Sequence, residues 1–197
     1  MSAGSVPPRG PFLVGVTGPI GSGKSLLCRI LSAEHGAPVI DADRLGHEVL
    51  VADGSVREAL RHRFGGGVFL PDGAVDRPAL ARAAFTGPAA RADLEAIVHP
   101  ALLAAIARRV AALKESGGAG IILLDAAVLP RWQGRCRTDA VVLVRATQAT
   151  RRRRLAAKGI EKDEIRRRME AQAALFPDPP PADWLVVENE GSPEELR

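Results

Sequence analysis

The segment with the clearest chemistry is residues 18–25, Gly-Pro-Ile-Gly-Ser-Gly-Lys-Ser, which matches the phosphate-loop pattern Gly-x-x-x-x-Gly-Lys-Ser/Thr at every defined position. In such a loop, backbone N–H groups and the start of the next helix surround a phosphate. Lys24 would reach the β- and γ-phosphates, and the Ser25 hydroxyl would bind Mg²⁺. The predicted ATP-binding residues are Gly21, Ser22, Gly23, Lys24, Ser25 and Leu26. A chance match in a glycine-rich turn is the alternative.

The loop indicates a nucleoside triphosphate without showing what is done with it, because GTPases, ATPases and kinases all use it. The guanine-reading pattern Asn-Lys-x-Asp does not occur in the sequence, and 197 residues are few for a motor ATPase. Transfer of a phosphoryl group to a small acceptor is therefore the leading function class.

Two carboxylates, Asp41 and Asp43, follow the apolar pair 39–40. A kinase must orient an acceptor hydroxyl and remove its proton, which a carboxylate near the end of a strand beside the loop can do. Residues two apart at a strand end point to the same side, so one could be the base while the other braces it or a Mg²⁺-bound water. In the alternative, Asp43 caps a helix over residues 44–50.

Three further residues are candidates on weaker grounds. Asp125 ends the apolar run 121–124, a position suited to binding Mg²⁺ directly or through water, although a turn carboxylate would look the same. His99 precedes Pro100, which is predicted to start a long helix ending at residue 115. By themselves, His99 is typical of a packed or capping histidine, and Arg77 is an ordinary arginine at a helix start.

Short apolar runs without alternation predict buried strands of a parallel sheet. They occupy residues 12–16, 39–40, 121–124, 140–144 and 184–187. Helical patterns separate them, so the predicted fold class is α/β, a parallel sheet flanked by helices. Residues 44–120 are too many for one crossover and are predicted to form an inserted helical subdomain. Its helices are expected over residues 55–64, 77–85, 88–98 and 100–115.

Composition favours one globular domain over residues 11–197, after a flexible N-terminal tail at residues 1–10. Hydrophobic residues make up 46% and charged residues 25% of the chain, which is ordinary for a packed protein. Cys28 and Cys136 lack the spacing of a metal site and are predicted to be free thiols in a reducing compartment. The first apolar run is too short to span a bilayer. We therefore expect a cytoplasmic protein without membrane contact.

Positive charge concentrates between Arg131 and Arg168, a range that contains thirteen Lys or Arg residues and only four Asp or Glu residues. A solvated helix face is the ordinary explanation of such a run. Nucleic acid is a poor candidate partner, because aromatic residues are only 4% of the chain and none lies among these arginines. Phosphate on a small molecule is the better match.

The chain resembles the dephospho-CoA kinase family over essentially everything after Pro11. The matching pieces follow the family order at residues 16–25, 39–43, 75–77, 97–100, 168–172 and 182–192. The Asp-Ala-Asp, Asp-Arg and His-Pro pieces are more specific than the loop. The resemblance implies a P-loop NTPase fold in which residues 44–120 bind CoA and residues 148–175 form an arginine-rich lid.

The resemblance also implies the activity, which is ATP-dependent phosphorylation of the ribose 3′-hydroxyl of dephospho-CoA, the last step of coenzyme A biosynthesis. Asp43 would be the catalytic carboxylate alongside Lys24. The other implied roles are acceptor binding by Arg77 and His99, together with Asp41, and lid contacts by Arg154, Lys158 and Arg168. Mg²⁺ binding is assigned to Ser25 and Asp125 on the grounds given above. The expected partners are ATP and dephospho-CoA, and the expected state is a monomer or weak oligomer.

Two rivals remain: another P-loop kinase of small molecules or nucleoside monophosphates, and a nucleotide-binding regulator without catalysis. The chain also departs from the family pattern. Residues 126–130 read Ala-Ala-Val-Leu-Pro where the family has Pro-Leu-Leu-Phe-Glu, so the expected glutamate is missing and weight shifts to Asp125. The lid is one residue short, which places Lys158 at a family arginine. Pro19 replaces a glycine and requires a negative φ and an unneeded N–H.

Overall fold

The computed structural model describes residues 10–117, 120–132 and 134–197. The predicted N-terminal tail, residues 1–10, therefore lies outside the described residues except for Gly10. The chain divides into two compact units. The sheet unit comprises the residues up to Asp41 together with Val110–Arg197, and the helical unit is Ala42–Arg109.

A five-stranded parallel sheet forms the centre of the sheet unit, and its strand order is β2-β3-β1-β4-β5. The strands are β1 (Phe12–Thr17), β2 (Val39–Asp41), β3 (Ile121–Asp125), β4 (Ala140–Arg145) and β5 (Leu185–Glu188). The prediction of parallel strands from continuous apolar runs is confirmed, but the last strand, β5, lies at the edge of the sheet and is largely exposed, whereas a buried strand was expected. Because β1 is the central strand, the loop that follows it opens among the carboxyl ends of its neighbours, where ligands of such sheets bind.

Seven α-helices accompany these strands within the described residues. They are α1 (Lys24–His35), α2 (Ala42–Ala52), α3 (Gly54–Phe64), α4 (Arg77–Ala84), α5 (Pro88–Glu115), α6 (Gln148–Ala156) and α7 (Lys162–Ala173). The predicted helix after the phosphate loop is confirmed as α1, which ends at Gly36 in the left-handed conformation, with φ of 64°.

Helix α1 packs its apolar side against the sheet. Its Leu27 and Cys28 contact a buried cluster that includes Val16 of β1, Leu123 of β3 and Val144 of β4. These three strand residues are at most 1% exposed. Burial of apolar surface at about 25 cal/mol per Å² makes this cluster a main source of stability for the start of α1. The phosphate loop thus joins two elements that are both anchored in the core.

Burial of Cys28, which is 1% exposed, raises the pKa of its thiol from 9.0 to about 11, although the charge of Lys24 opposes the shift. The unfolded chain would therefore release this proton before the folded protein does, so stability falls as pH rises from about 9 towards 11. The free energy of unfolding should fall between about pH 8.5 and pH 10.5 in the unaltered protein. In Cys28→Ala we expect this fall to be smaller by on the order of 1–2 kcal/mol. Urea unfolding at both pH values measures this difference, and equal losses would contradict it.

The long helix α5 corrects one prediction. Residues 88–98 and 100–115 were expected to form two helices with Pro100 starting the second, whereas Pro100 lies inside one 28-residue helix. A proline there gives up one backbone hydrogen bond. Residues on both sides, including Ile97, Val98 and Ala101, pack against the same buried cluster of the helical unit. The apolar stripe continues across the proline, and its burial holds the helix together.

Helix α5 is also long and apolar enough to cross a membrane by length and composition alone, and it is the one such helix in the part of the chain that the structure describes. Length and composition are weak evidence, because core helices pass the same test. Its Leu102, Ala105 and Ile106 are buried inside the protein. The expectation of no membrane contact stays a prediction.

Candidate active site

The phosphate loop lies between β1 and α1, as predicted from the sequence. Gly23 is the N-cap of α1 and has a φ of 99°, a backbone angle that residues other than glycine rarely adopt. A Cβ at this position would clash with Asn189 Nδ2. Gly23 therefore has two independent reasons to be glycine, its backbone conformation and the closeness of Asn189.

Some N–H groups of the loop are bonded inside the protein and others are not. Ile20 donates to Gln172 Oε1 of α7 at 2.7 Å, and Ser22 donates to the Pro19 carbonyl at 3.0 Å. The N–H groups of Gly21, Gly23 and Ser25 donate to no acceptor within residues 10–117, 120–132 and 134–197. An arrangement of this kind leaves donors available for phosphate oxygens. The loop geometry therefore fits a polyphosphate ligand.

Lys24, the first residue of α1, donates through Nζ to Asp125 Oδ1 at the end of β3. Both side chains are largely buried, with 12% of Lys24 and 6% of Asp125 exposed. A buried carboxylate is costly unless a cation and hydrogen bonds compensate it. The loop lysine thus neutralises Asp125 and lies at the carboxyl end of the sheet, where it can exchange this partner for phosphate.

Asp41 and Asp125 are neighbours in the sheet. They are paired residues at the ends of β2 and β3, and Val16 of β1 pairs with Asp125 on the other side. Asp41 is exposed, whereas Asp125 is 5% exposed. The sheet unit therefore places two carboxylates in a row next to the start of the phosphate loop, as expected for the carboxyl ends of parallel strands.

Asp43 departs from the expected geometry. It was expected to share a strand end with Asp41, but β2 stops at Asp41 and Asp43 is already the second residue of α2. The strand rule that residues two apart share a side is therefore the wrong basis for relating them. Nor does Asp43 precede the helix as a cap would. It is exposed in the first helical turn, where negative charge is favoured by the helix dipole.

Arg77 and His99 lie, like Asp43, in the helical unit. Arg77 is the exposed first residue of α4, and the preceding Asp76 caps that helix by accepting a hydrogen bond from the Ala79 N–H at 3.1 Å. His99 is partly buried in the middle of α5, next to Pro100. Asp43, Arg77 and His99 are thus on three different helices of this unit, whereas Asp41, which was also predicted to bind the acceptor, ends β2 in the sheet unit.

The predicted lid residues behave differently from one another. Arg154 of α6 donates to the carbonyl oxygens of Ser22, Asn189 and Gly191 at 3.3, 3.0 and 2.8 Å, and to Asn189 Oδ1 at 3.1 Å. Arg168 of α7 pairs with Glu164 at 2.6 Å on the surface. Lys158, just after α6, is exposed. Only Arg154 of these three contacts the phosphate loop among the described residues.

A cleft of about 430 Å³ adjoins the loop and helices α6 and α7. Its lining includes Pro19 of the loop, Arg145 at the end of β4, Arg151 of α6, and Arg166 of α7. Burial and the neighbouring Arg152 lower the pKa of Arg151. Its Nε atom is buried without a hydrogen-bond partner among the described residues. An anionic ligand beside the loop would meet positive charge on this side.

No role was predicted from the sequence for Gln172 and Asn189, both of which bind the phosphate loop. Both lay in segments that resembled the dephospho-CoA kinase family. Asn189 follows the last strand and is 3% exposed, so it is a buried polar residue at the carboxyl end of the sheet. A polar residue directly after the last strand was the available signal.

No group of three or more His, Cys, Asp or Glu side chains able to hold a metal occurs in the described part of the chain. Magnesium differs from zinc here, because it commonly keeps several waters and uses one or two protein ligands plus substrate phosphates. Ser25, in the first turn of α1, and Asp125 supply hard oxygen atoms at the same end of the sheet. These residues fit a Mg²⁺ ion that arrives with its nucleotide.

Comparisons with known proteins agree with this geometry. The family model for dephospho-CoA kinase matches residues 12–195. A dephospho-CoA kinase of Geobacter sulfurreducens is 38% identical over 185 residues, which are 93% of this chain and 92% of that protein. The crystal structure of TT1252 from Thermus thermophilus has a TM-score of 0.77 and 34% identity, covering 95% of this chain and 93% of the other.

A dephospho-CoA kinase from Campylobacter jejuni has a TM-score of 0.64 and covers 94% of this chain and 91% of its own. At 18% identity this similarity concerns the fold alone. The parallel sheet, the position of the phosphate loop and these structural relatives agree on the P-loop NTPase fold that the sequence predicted.

Proposed function

The chain belongs to the dephospho-CoA kinase family, and we propose that its phosphate loop holds ATP while the ribose 3′-hydroxyl of dephospho-CoA attacks the γ-phosphorus. The new bond joins that oxygen to phosphorus, the bond to the β-phosphate oxygen breaks, and ADP leaves. Coenzyme A is the other product. The observation that supports this most strongly is the complete loop, with unused N–H donors at Gly21, Gly23 and Ser25 within the described residues, beside the Lys24–Asp125 pair.

On the ATP side, we assign phosphate binding to the loop N–H groups and to Lys24. Lys24 would leave Asp125 for oxygens of the β- and γ-phosphates and neutralise charge that develops there during transfer. Ser25 and Asp125 are the residues that would hold Mg²⁺. When bound, the ion screens the phosphate charges and aligns the triphosphate. The arginines of the adjoining cleft favour an anionic ligand.

On the acceptor side, we assign removal of the hydroxyl proton to the Asp43 carboxylate. Asp41, Arg77 and His99 are assigned to acceptor binding. Of these, Arg77 is the cation that can recognise the diphosphate of dephospho-CoA. These roles rest on the family resemblance of residues 39–43, 75–77 and 97–100. The exposure of Asp43 and Arg77 in the helical unit leaves both side chains accessible to a ligand.

The setting we propose is the cytoplasm, where the free thiols Cys28 and Cys136 would stay reduced. There the protein would act as a monomer or weak oligomer, with ATP and dephospho-CoA as partners and with no nucleic acid or membrane. Sedimentation velocity at micromolar concentration tests the oligomeric state, and a large stable assembly would contradict it.

The test of the activity is a coupled assay of ADP release with dephospho-CoA, AMP, CMP and shikimate as alternative acceptors. We expect turnover with dephospho-CoA and a product heavier by one phosphoryl group on its ribose, as identified by mass spectrometry. Turnover with a rival acceptor alone would support a different P-loop kinase. ATP binding without ADP release above background would support a regulator that lacks catalysis.

Lys158 is expected to act in the lid, because it is exposed and the family resemblance places it at a lid arginine, so that it would meet phosphate on closure. Lys158→Ala should lower kcat by roughly tenfold with little change in the KM for dephospho-CoA. Lys162→Ala, an exposed lysine of the same segment to which no lid contact is assigned, is the matched control and should keep its kcat. An equal loss of affinity for the acceptor would instead place Lys158 on the acceptor side.

A further inference from the structure

We propose that Asn189, held in place by Arg154, is a positioning residue of the phosphate loop. It fixes the peptide group between Ser22 and Gly23 so that the Gly23 N–H faces the phosphates of the bound nucleotide. The inference rests on the proposed function, because it concerns how the same loop holds ATP. It assigns Arg154 a supporting role in place of direct contact with the transferred phosphate.

The first step is the contact between the last strand and the loop. Asn189, directly after β5, donates from Nδ2 to the Ser22 carbonyl oxygen at 2.8 Å, and Arg154 Nη1 donates to the same oxygen at 3.3 Å. Asn189 is 3% exposed and Ser22 is fully buried. Water is therefore a poor substitute for these donors, and loss of one would leave a buried carbonyl undersatisfied.

The second step concerns the orientation of the asparagine amide. An arginine side chain donates hydrogen bonds and accepts none. The amide atom that Arg154 Nη2 contacts at 3.1 Å must therefore be Oδ1, which leaves Nδ2 facing Ser22. Arg154 also holds the backbone oxygens of Asn189 and Gly191. The arginine thus fixes both the position of the strand end and the direction of its amide.

The third step follows from peptide geometry. In a trans peptide group the C=O and N–H bonds point in opposite directions, and the one described cis peptide lies elsewhere, at Asp178–Pro179. Because Asn189 and Arg154 hold the Ser22 oxygen, the Gly23 N–H must point away from them. A flipped peptide would turn a carbonyl oxygen towards a phosphate, which is repulsive. Asn189 therefore selects the loop conformation that binds an anion.

The experiment observes Gly23 directly. The sequence contains two Ser-Gly pairs, Ser22-Gly23 and Ser116-Gly117. Labelling serine carbonyls with ¹³C and glycine amides with ¹⁵N therefore gives two carbonyl-selected amide signals, with Gly117 as an internal reference. We expect ADP to move the Gly23 amide proton downfield in the unaltered protein, as a hydrogen bond to phosphate requires, and to leave Gly117 in place.

The Asn189→Asp variant keeps the shape of the side chain and the oxygen that accepts from Arg154. It replaces the Nδ2 donor that faces the Ser22 carbonyl with an acceptor. We expect its Kd for ADP to rise by roughly tenfold, which is the usual effect of one lost buried hydrogen bond. The change in the chemical shift of the Gly23 amide proton on ADP binding should become smaller, and the Kd for dephospho-CoA should stay the same. Asn189→Ser, which removes the donor without adding charge, should show the same direction of change if the Asp variant fails to fold.

Glu190→Gln is the matched control in the same segment. Glu190 accepts hydrogen bonds from the Thr147 N–H and hydroxyl at the start of α6 and makes no hydrogen bond to the loop within the described residues. This variant should bind ADP normally and show the normal Gly23 displacement. Normal ADP affinity and a normal Gly23 displacement in both Asn189 variants would overturn the inference. Failure of the unaltered protein to bind ADP would instead overturn the proposed function.

Discussion

The Asp43→Asn variant is expected to bind ATP and dephospho-CoA normally and to lose kcat by about 10² to 10⁴, the usual contribution of a general base. A ribose hydroxyl is a poor nucleophile until a group accepts its proton and fixes its direction. Asn keeps the size of the side chain but removes the charge. Initial rates with both substrates saturating, together with titration calorimetry for each substrate, measure the two quantities separately.

Loss of stability should not complicate this result. Asp43 is exposed in the first turn of α2, so the substitution removes a favourable helix-dipole interaction of about 0.3–1 kcal/mol and leaves no buried group unpaired. Glu48→Gln is the matched control on the same helix, because Glu48 is also exposed and pairs with Arg44 at 3.2 Å. That variant should keep the kcat of the unaltered protein.

Asp41→Asn separates the two carboxylates. Asp41 ends β2 beside Asp125, in a different element from Asp43. The Asp41→Asn substitution is expected to lower kcat by about tenfold or less. Normal turnover by Asp43→Asn with a severe loss in Asp41→Asn would reverse the assignment. Normal turnover by both variants would mean that neither carboxylate takes the proton.

The sequence could predict the sheet because parallel strands such as β1, β3 and β4 are short continuous apolar runs with many buried residues. The boundary at Asp41 was harder. Strand β2 has three residues, and α2 begins at the next residue, Ala42, without an intervening turn residue. Neither the strand period nor the helix period can locate a boundary in so short a segment. Asp43 was therefore assigned to the end of a strand, whereas it lies in the first turn of a helix.

Pro100 misled the prediction for a different reason. A proline usually marks the first turn of a helix, and this local rule outweighed the apolar positions that continue across it. The tertiary packing of Ile97, Val98 and Ala101 against one buried cluster decides the outcome. Propensity is a weak predictor when such burial opposes it.

The residues that hold the phosphate loop in place could not be predicted from local sequence patterns. Asn189 lies 167 residues from Ser22, and Gln172 lies 152 residues from Ile20. No periodicity or spacing rule relates residues so far apart. Arg154 and Arg168 likewise received the same lid role from the sequence, yet Arg154 is fixed on the loop whereas Arg168 pairs with Glu164 on the surface. Only their three-dimensional positions separate a supporting residue from a surface one.

Replacement of Lys24 by Met is expected to lower kcat/KM by roughly 10² or more, because one electrostatic contact to the transferred phosphate is lost. The structure adds a second expected effect, on stability. Lys24 compensates Asp125, of which 6% of the side chain is exposed. Removal of one partner of a buried pair typically costs about 3–5 kcal/mol, because the other charge stays buried without compensation.

The double variant Lys24→Met/Asp125→Asn distinguishes the two effects. With both charges gone, no uncompensated ion remains, and replacement of both partners of a buried pair is often close to neutral for stability. We therefore expect the double variant to recover most of the free energy of unfolding that Lys24→Met loses, and none of the activity. Urea unfolding without nucleotide and the kcat/KM for ATP are the two measurements.

The control for the stability effect is an exposed ion pair of the same chain. Arg63 and Asp93 lie 2.6 Å apart with 45% and 44% of their side chains exposed, so Arg63→Met should cost at most about 1 kcal/mol. If the double variant were as unstable as Lys24→Met, the buried charge of Asp125 would not be the cause of the loss. Normal kcat/KM in Lys24→Met would overturn the assignment of residues 18–25 as the ATP site, since no other residue of that segment can supply the positive charge.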